Sequence, residues 1–369
     1  MSDGRGRALR LLRPGADTLP LSPKEPILTT MLRGPAHRMA GNDTAFSMEG
    51  APSPGRRADT APLDNRAAEL AAGLRDAQAH IDPKFLYDAQ GCVLFNAICE
   101  LEEYYPTRTE RAIFEAHRPA IARSLPRRIQ WVDLGCGDCA KSRSWLAHVD
   151  ACRYLGVDIA ADCLRHEVAA LGRKFPQIAC VAVEADFSGD LDLRRHLVDI
   201  EEHPPVFFYP GSSIGNFDPE RAVALMAAIC RQAGPRGSLL ISADLRKDRR
   251  VMERAYADDL GVTAAFNRNV LRVCNRVLGS DFQPAEFDHE SRFDDGHGRI
   301  EMRLRARQRQ RVRWGTSERI FEAGEEIVTE HSYKYTPAQF DAMLAQAGFS
   351  VRNMWTDPRS WFGVFLAQR

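Results

Sequence analysis

Between residues 129 and 245, short apolar runs alternate with amphipathic helical stretches, a pattern that confines the chain to a parallel sheet covered by helices on both faces. Five strands are placed at 129–134, 154–159, 178–185, 206–209 and 238–243, each followed by turn chemistry or a helix start. The clearest start is Asp218-Pro219. A carboxylate stands there as N-cap before a proline at the first helical position, where the missing amide hydrogen costs nothing, and 222–231 runs on as helix. Upstream, Leu70, Leu74 and Ala77 recur at helical spacing and predict a helix over 65–79.

Thr336-Pro337-Ala338-Gln339 is a capping-box start to a helix that stops at Gly348. Two strands follow, at 349–355 and 361–367, separated by the turn-rich Thr356-Asp357-Pro358-Arg359. A doubly wound α/β core closed by a C-terminal antiparallel hairpin resembles the Rossmann-like fold of class I S-adenosylmethionine-dependent methyltransferases. Doubly wound kinases and dehydrogenases usually lack this ending. At 369 residues the chain exceeds what one hydrophobic core usually carries, so an elaboration of that core is expected. The expected division is a flexible leader at 1–60, N-terminal helices and cofactor-binding core at 61–245, an inserted substrate-binding subdomain at 246–333, and a helix and hairpin at 334–369 that complete the core.

The leader is rich in Arg, Pro, Gly and Ser and shows no sustained apolar period. Arg5, Arg7, Arg10 and Arg13 suggest a mitochondrial presequence, but Asp3 and Asp17 interrupt it; a dispensable extension, or a start at Met31, Met39 or Met48, fits better. Lys plus Arg and Asp plus Glu both number 50, which leaves no overall positive field for nucleic acid or anionic membrane. The expected partner is therefore a small molecule. Nine cysteines without a secretory signal fit reduced thiols in a cytoplasm, and no apolar run reaches the length of a membrane span. A monomer is expected.

In open α/β sheets ligands bind beyond the C-terminal ends of the strands. Asp133-Leu134-Gly135-Cys136-Gly137 ends the first strand, and its glycines let backbone amides approach the methionyl part of S-adenosylmethionine. Lys141, one helical turn on, is placed to pair with the cofactor carboxylate, unless it is a solvated surface lysine. Asp158 ends the second strand about twenty residues after the glycine turn, where an acid accepts hydrogen bonds from both ribose hydroxyls; its plain alternative is a helix cap. After the third strand, Asp186 is placed to accept from the adenine amino group and Phe187 to border the base, against a plain turn with a core ring. A nicotinamide enzyme would want a third glycine where Ala140 stands. Cys136 and Cys139 are better taken as small residues filling the loop than as a redox or zinc pair, since no second such pair exists and no metal is expected.

Several longer strings carry a more specific resemblance: Pro83-Lys84-Phe85-Leu86-Tyr87-Asp88, Glu103-Tyr104-Tyr105-Pro106-Thr107-Arg108, Gly211-Ser212-Ser213-Ile214-Gly215-Asn216, Gly261-Val262-Thr263-Ala264-Ala265-Phe266-Asn267-Arg268-Asn269, Ile300-Glu301-Met302-Arg303-Leu304-Arg305-Ala306 and Thr329-Glu330-His331-Ser332. In this order they resemble the histidine Nα-methyltransferases of ergothioneine biosynthesis, also called dimethylhistidine methyltransferases, over nearly the whole chain after about residue 65. The resemblance implies successive methylation of the α-amine of L-histidine to Nα,Nα,Nα-trimethylhistidine (hercynine). It puts cofactor contacts on Gly135, Lys141, Asp158, Asp186 and Phe187, to which the turn adds Gly137. It implies that Asn216 and Tyr256 hold the α-carboxylate and orient the amine, acting at the reacting centre. It gives the imidazole side to Tyr104, Glu330 and Ser332, with Met302 as an apolar wall and His331 as a neighbouring strand residue that contributes backbone. An imidazole offers one donor and one acceptor, which a Glu beside a hydroxyl satisfies.

Each of these residues also has a plain role: Tyr104 as an amphipathic core residue, Asn216 as a turn cap and Glu330 as the solvent side of a strand. Arg303, Arg305 and Arg307 alternate with apolar residues and form the wet face of a half-buried strand rather than a nucleic-acid groove. The expected chemistry is attack of a neutral amine on an activated methyl group, governed by positioning in a water-poor pocket, with Tyr256 or a water held by Asn216 as candidates to relay the proton. Two alternatives remain at this level: an α-amine methyltransferase acting on another amino acid such as tryptophan, and a non-catalytic cofactor-binding regulator.

Overall fold

A computed structural model of the protein describes residues 61–159, 161–187 and 191–369; the leader expected at 1–60 lies outside the described residues. Three helices open the described chain: α1 (Ala61–Arg75), α2 (Ala89–Cys99) and α3 (Tyr105–Ser124). The first ends four residues before the expected boundary. Asp82 and Asp88 each accept a backbone N–H just inside the helical turns they precede, which fixes the start of the Pro83–Leu86 turn and of α2.

The alternation predicted from sequence then follows as β1 (Ile129–Leu134), α4 (Ala140–Trp145), β2 (Ala151–Asp158), α5 (Ala161–Lys174), β3 (Ala179–Glu184), β4 (Pro205–Tyr209), α6 (Pro219–Ala233) and β5 (Ser238–Asp244). Every residue of β1, β4 and β5 is buried, as both faces of a covered parallel sheet require. Asp218 caps α6 by accepting the Arg221 N–H.

An insertion follows: α7 (Arg249–Ala255), α8 (Val262–Leu278), β6 (Phe287–Asp294), β7 (Arg299–Ala306), β8 (Gln310–Trp314), β9 (Ser317–Phe321) and β10 (Glu326–Tyr333). The chain returns through α9 (Pro337–Gln346), where both arms of the Thr336–Gln339 capping box form, and through β11 (Ser350–Thr356) and β12 (Phe362–Gln368). The seven-stranded sheet has the order β11-β12-β5-β4-β1-β2-β3, with β12 antiparallel to both neighbours, so the hairpin closes the β5 edge. Strand order reverses at β1, which puts a ligand crevice at the C-terminal ends of β1 and β4.

Helices α6 and α9 cover one face of this sheet and α3, α4 and α5 the other. A separate three-stranded sheet, β10-β7-β6, is antiparallel. On β7 the residues Ile300, Met302, Leu304 and Ala306 are buried, whereas Arg303 and Arg305 lie on the wetter face and pair with Glu301 and Glu290, and Arg307 beyond the strand pairs with Asp288. The packed core under this sheet is shared with the N-terminal helices: Leu70, Leu74, Phe85 and Ile98 join Phe266, Phe287 and Met302 in one cluster. Side-chain packing thus groups 70–104 with the insertion.

Candidate active site

The exits of β1, β2 and β3 lie side by side. Gly135 and Gly137 take φ of 69° and 50°, the left-handed region that a side chain strains. The Gly137 N–H donates to Asp158 Oδ2 at 3.0 Å, so the acid at the end of β2 is tied to the glycine turn. Asp186, just past β3, accepts from Lys84 Nζ at 3.0 Å, and Lys84 also reaches Glu69 at 2.8 Å. Phe187 stands edge-on to Tyr209 with ring centres 5.8 Å apart, and a Cβ added at Gly135 would sit 3.6 Å from its ring. Lys141, on α4, places its ammonium 2.6 Å from Glu110 Oε2. The other oxygen of that carboxylate accepts the Gly211 N–H at 2.6 Å and the Ser242 hydroxyl. Glu110 is 2% exposed and couples the β1 side of the crevice to the loop after β4.

Behind the turn, Asp133 is fully buried and accepts from Ser142 at 2.6 Å and from Tyr154 at 3.1 Å. Burial outweighs those bonds and pushes its carboxyl up to about 6. Cys136 and Cys139 are buried free thiols, and the Tyr154 hydroxyl lies 3.2 Å from Cys139 Sγ. Among the described residues, no group of three or more His, Cys, Asp or Glu side chains is arranged to hold a metal ion.

The second part of the site is a small cavity lined chiefly by Tyr87, Tyr104, Tyr256, Phe266, Met302 and Glu330. Glu330 is aimed into it by a β-bulge. Val328 pairs with the outward-facing Arg303, yet Glu330 pairs with the inward-facing Met302, because the intervening Thr329 is an extra residue in β10 that shifts the alternation by one. The Thr329 hydroxyl donates to the Met302 carbonyl at 3.1 Å and secures the bulge. Asn216 closes the short helical turn Ser213–Asn216 after β4. Gly215 makes this approach possible: a Cβ there would lie 2.9 Å from the Tyr333 carbonyl of β10. Asn216 contacts the Glu330 carboxylate; burial raises that carboxyl to about 7, against the pull of Lys334 and Asn216 toward ionisation.

Tyr256, the C-cap of α7, meets Tyr104 edge-on with ring centres 6.0 Å apart. Its hydroxyl lies 2.9 Å from Ser332 Oγ, and Lys334 donates to both, at 2.9 and 2.8 Å. Lys334 Nζ also pairs with Asp244 Oδ2 at 2.9 Å, and Asp244 in turn pairs with Lys247 and accepts from the Tyr105 hydroxyl at 2.6 Å. Burial alone would lower Lys334 and raise Asp244, but their mutual attraction reverses both: the lysine is held above and the aspartate below its ordinary value. Lys247, less well compensated, falls to about 8.

Tyr104, Tyr256, Met302 and Glu330 are therefore brought together around one cavity, with Asn216 and Ser332 bonded to its lining. The His331 side chain takes the other face of β10, 3.5 Å from Glu301, where burial and Arg299 hold its imidazole down to about 4. Sequence reasoning passed over Tyr87, Glu110, Asp244, Lys247 and Lys334. Tyr87 belongs to the segment Pro83 to Asp88, and the step 330, 332, 334 along one strand face is a readable signal for Lys334; nothing local marks the other three.

Residues 66–369 match the model of a family described as histidine-specific, S-adenosylmethionine-dependent methyltransferases. The chain is 41% identical to a histidine N-alpha-methyltransferase of Mycolicibacterium smegmatis, over 82% of this chain and 94% of that one. It is 39% identical to the protein of the same name from Mycobacterium tuberculosis, with the same coverage of both. A more distant likeness, 25% identity over 76% of this chain and 32% of the other, joins it to ergothioneine biosynthesis protein 1 of Neurospora crassa.

Proposed function

We infer, from the premise that this chain belongs to the histidine-specific, S-adenosylmethionine-dependent methyltransferase family, that it is an enzyme which methylates the α-amine of L-histidine. The finer reading is three successive transfers to trimethylhistidine (hercynine), as a step of ergothioneine biosynthesis, by a monomer in the cytoplasm. The observation that carries the substrate assignment is Glu330: a carboxylate 7% exposed, aimed by a bulge into an aromatic cavity, with Ser332 two residues on.

The crevice fits the methyl donor. Two left-handed glycines leave the backbone open at the end of β1, and an acid stands at the end of β2 and another after β3, the pattern that suits ribose hydroxyls and an exocyclic amine. Gly135, Gly137, Lys141, Asp158, Asp186 and Phe187 are the residues we assign to it. When bound, S-adenosylmethionine supplies a methyl group already activated by a sulfonium.

The protein's part is positioning. Asn216 and Tyr256 are assigned to the α-carboxylate and amine, Tyr104, Glu330 and Ser332 to the imidazole, and Met302 to the wall; His331 contributes backbone. An amine held here must shed its proton before it attacks, and the dry surroundings of Tyr104, Met302 and Phe266 favour the neutral form. Near pH 7 the Glu330 carboxyl is poised to accept from or donate to a ring nitrogen. Mass spectrometry is the test: protein given S-adenosylmethionine and histidine is expected to yield species heavier by one, two and three methyl groups. Product from another amino acid and none from histidine would overturn the substrate.

A further inference from the structure

Lys334 stands just past β10, two residues after Ser332, with a side chain 1% exposed. An ammonium has three N–H groups and no acceptor, and here all three are committed: to Asp244 Oδ2 at 2.9 Å, the Tyr256 hydroxyl at 2.9 Å and Ser332 Oγ at 2.8 Å. Both hydroxyl oxygens therefore accept from the lysine. They also lie 2.9 Å from each other, so one of them donates to the other. Two hydroxyl protons enter this arrangement and one is consumed within it. With Ser332 as that donor, the Tyr256 proton has no partner among these three groups and can serve the cavity that Tyr256 lines.

The charge points the same way. Lys334 and Lys247 share Asp244, and Glu330 and Asp357 also act on them, so what the cluster sets directly behind a hydrogen-bond donor is the Lys334 ammonium itself. A group that accepts hydrogen bonds and carries negative charge matches both features; a deprotonated carboxylate does so, and a cation or a bare donor does not.

We propose that Lys334 is a positioning residue that sets specificity: bonded to both hydroxyls, it orients that of Tyr256 as a donor, backed by positive charge, toward the carboxylate of the amino-acid substrate, and leaves Ser332 on the imidazole side. This rests on the histidine reading. The wild-type reaction with histidine is therefore run first, and if the enzyme takes another amino acid, the comparison below is made between that acid and its decarboxylated amine.

The probes are histidine and histamine, which lacks the carboxylate. Lys334→Met leaves Asp244 with Lys247 and Tyr105, so no buried carboxylate is stranded. It is expected to raise the histidine KM at least about tenfold, to hold cofactor affinity within about twofold, and to erase at least about tenfold of the preference for histidine over histamine as competitors. Combined with Tyr256→Phe, it is expected to add little, because both changes break one unit. Histidine and histamine weakened equally, or effects that multiply in the double variant, would show a merely structural lysine and overturn the proposal. Should Lys334→Met not fold, Lys334→Gln keeps donors without the charge; the same loss of preference is expected, and full retention would overturn it.

Discussion

Gly135, Gly137 and Asp186 lie where solvent reaches them, whereas Glu330, Ser332, Tyr256 and Met302, which face or back the cavity we assign to the substrate, are each at most 8% exposed. The first region comes from consecutive loops on one sheet edge and depends on backbone conformation. The second draws Tyr104 from the start of α3, Asn216 from the turn after β4, Tyr256 from the end of α7, Met302 from β7 and Glu330 and Ser332 from β10, and settles its polar groups by pairing them with one another. Buried polar groups gain more from good partners and lose more when one is removed, so the two regions should respond differently to substitution.

The largest expected effect is on the exposed side. Asp158→Ala removes an acid assigned to two ribose hydroxyls, and cofactor affinity is expected to fall roughly a hundredfold, about 3 kcal/mol, while histidine affinity stays within about threefold. Comparable losses of both ligands by calorimetry would break the separation between the regions. Gly215→Ala tests the seam. Its new Cβ would stand 2.9 Å from the Tyr333 carbonyl, a backbone atom that cannot swing aside. A stability loss of about 1–3 kcal/mol is expected in a thermal melt, with the histidine KM raised more than that of the cofactor. Unchanged melting would mean that the turn carrying Asn216 sits farther from β10.

The smallest effect concerns the cost of burying Glu330. Its folded value is about 7 against an ordinary 4.5, so the folded state holds the proton more tightly. The stability contributed by that carboxyl is fully present below about 4.5 and is lost as pH rises through 7. Glu330→Gln is expected to melt a few degrees above wild type at pH 8, by about ΔΔG over the unfolding entropy, and the gap should close toward pH 4.5. A gap independent of pH would remove the burial argument.

Legibility in the sequence follows the same division. The strands, the Asp218 cap and the Thr336 capping box are local, and the structure forms them within a few residues of the expected places. The glycine turn and the acid at the end of β2 are also local, since strand periodicity carries them to one edge. The cavity is different. Glu330 alternates like a solvent-facing strand residue, and only the bulge at Thr329, a product of pairing with β7, turns it inward. Family resemblance supplied Tyr104, Asn216 and Ser332. Asp244, 90 residues before Lys334, gives no local sign that the two will pair. Glu110 lies on the same helix as the Tyr105 string, but its meeting with Lys141 and Gly211 depends on how α3 crosses the sheet.

Glu330→Ala in a calorimetric titration of both ligands tests the central claim, that this buried carboxylate selects the histidine side chain. Histidine affinity is expected to fall roughly tenfold to a hundredfold, with S-adenosylmethionine affinity within about twofold of wild type. Equal losses for the two ligands, or an unchanged histidine affinity, would contradict it.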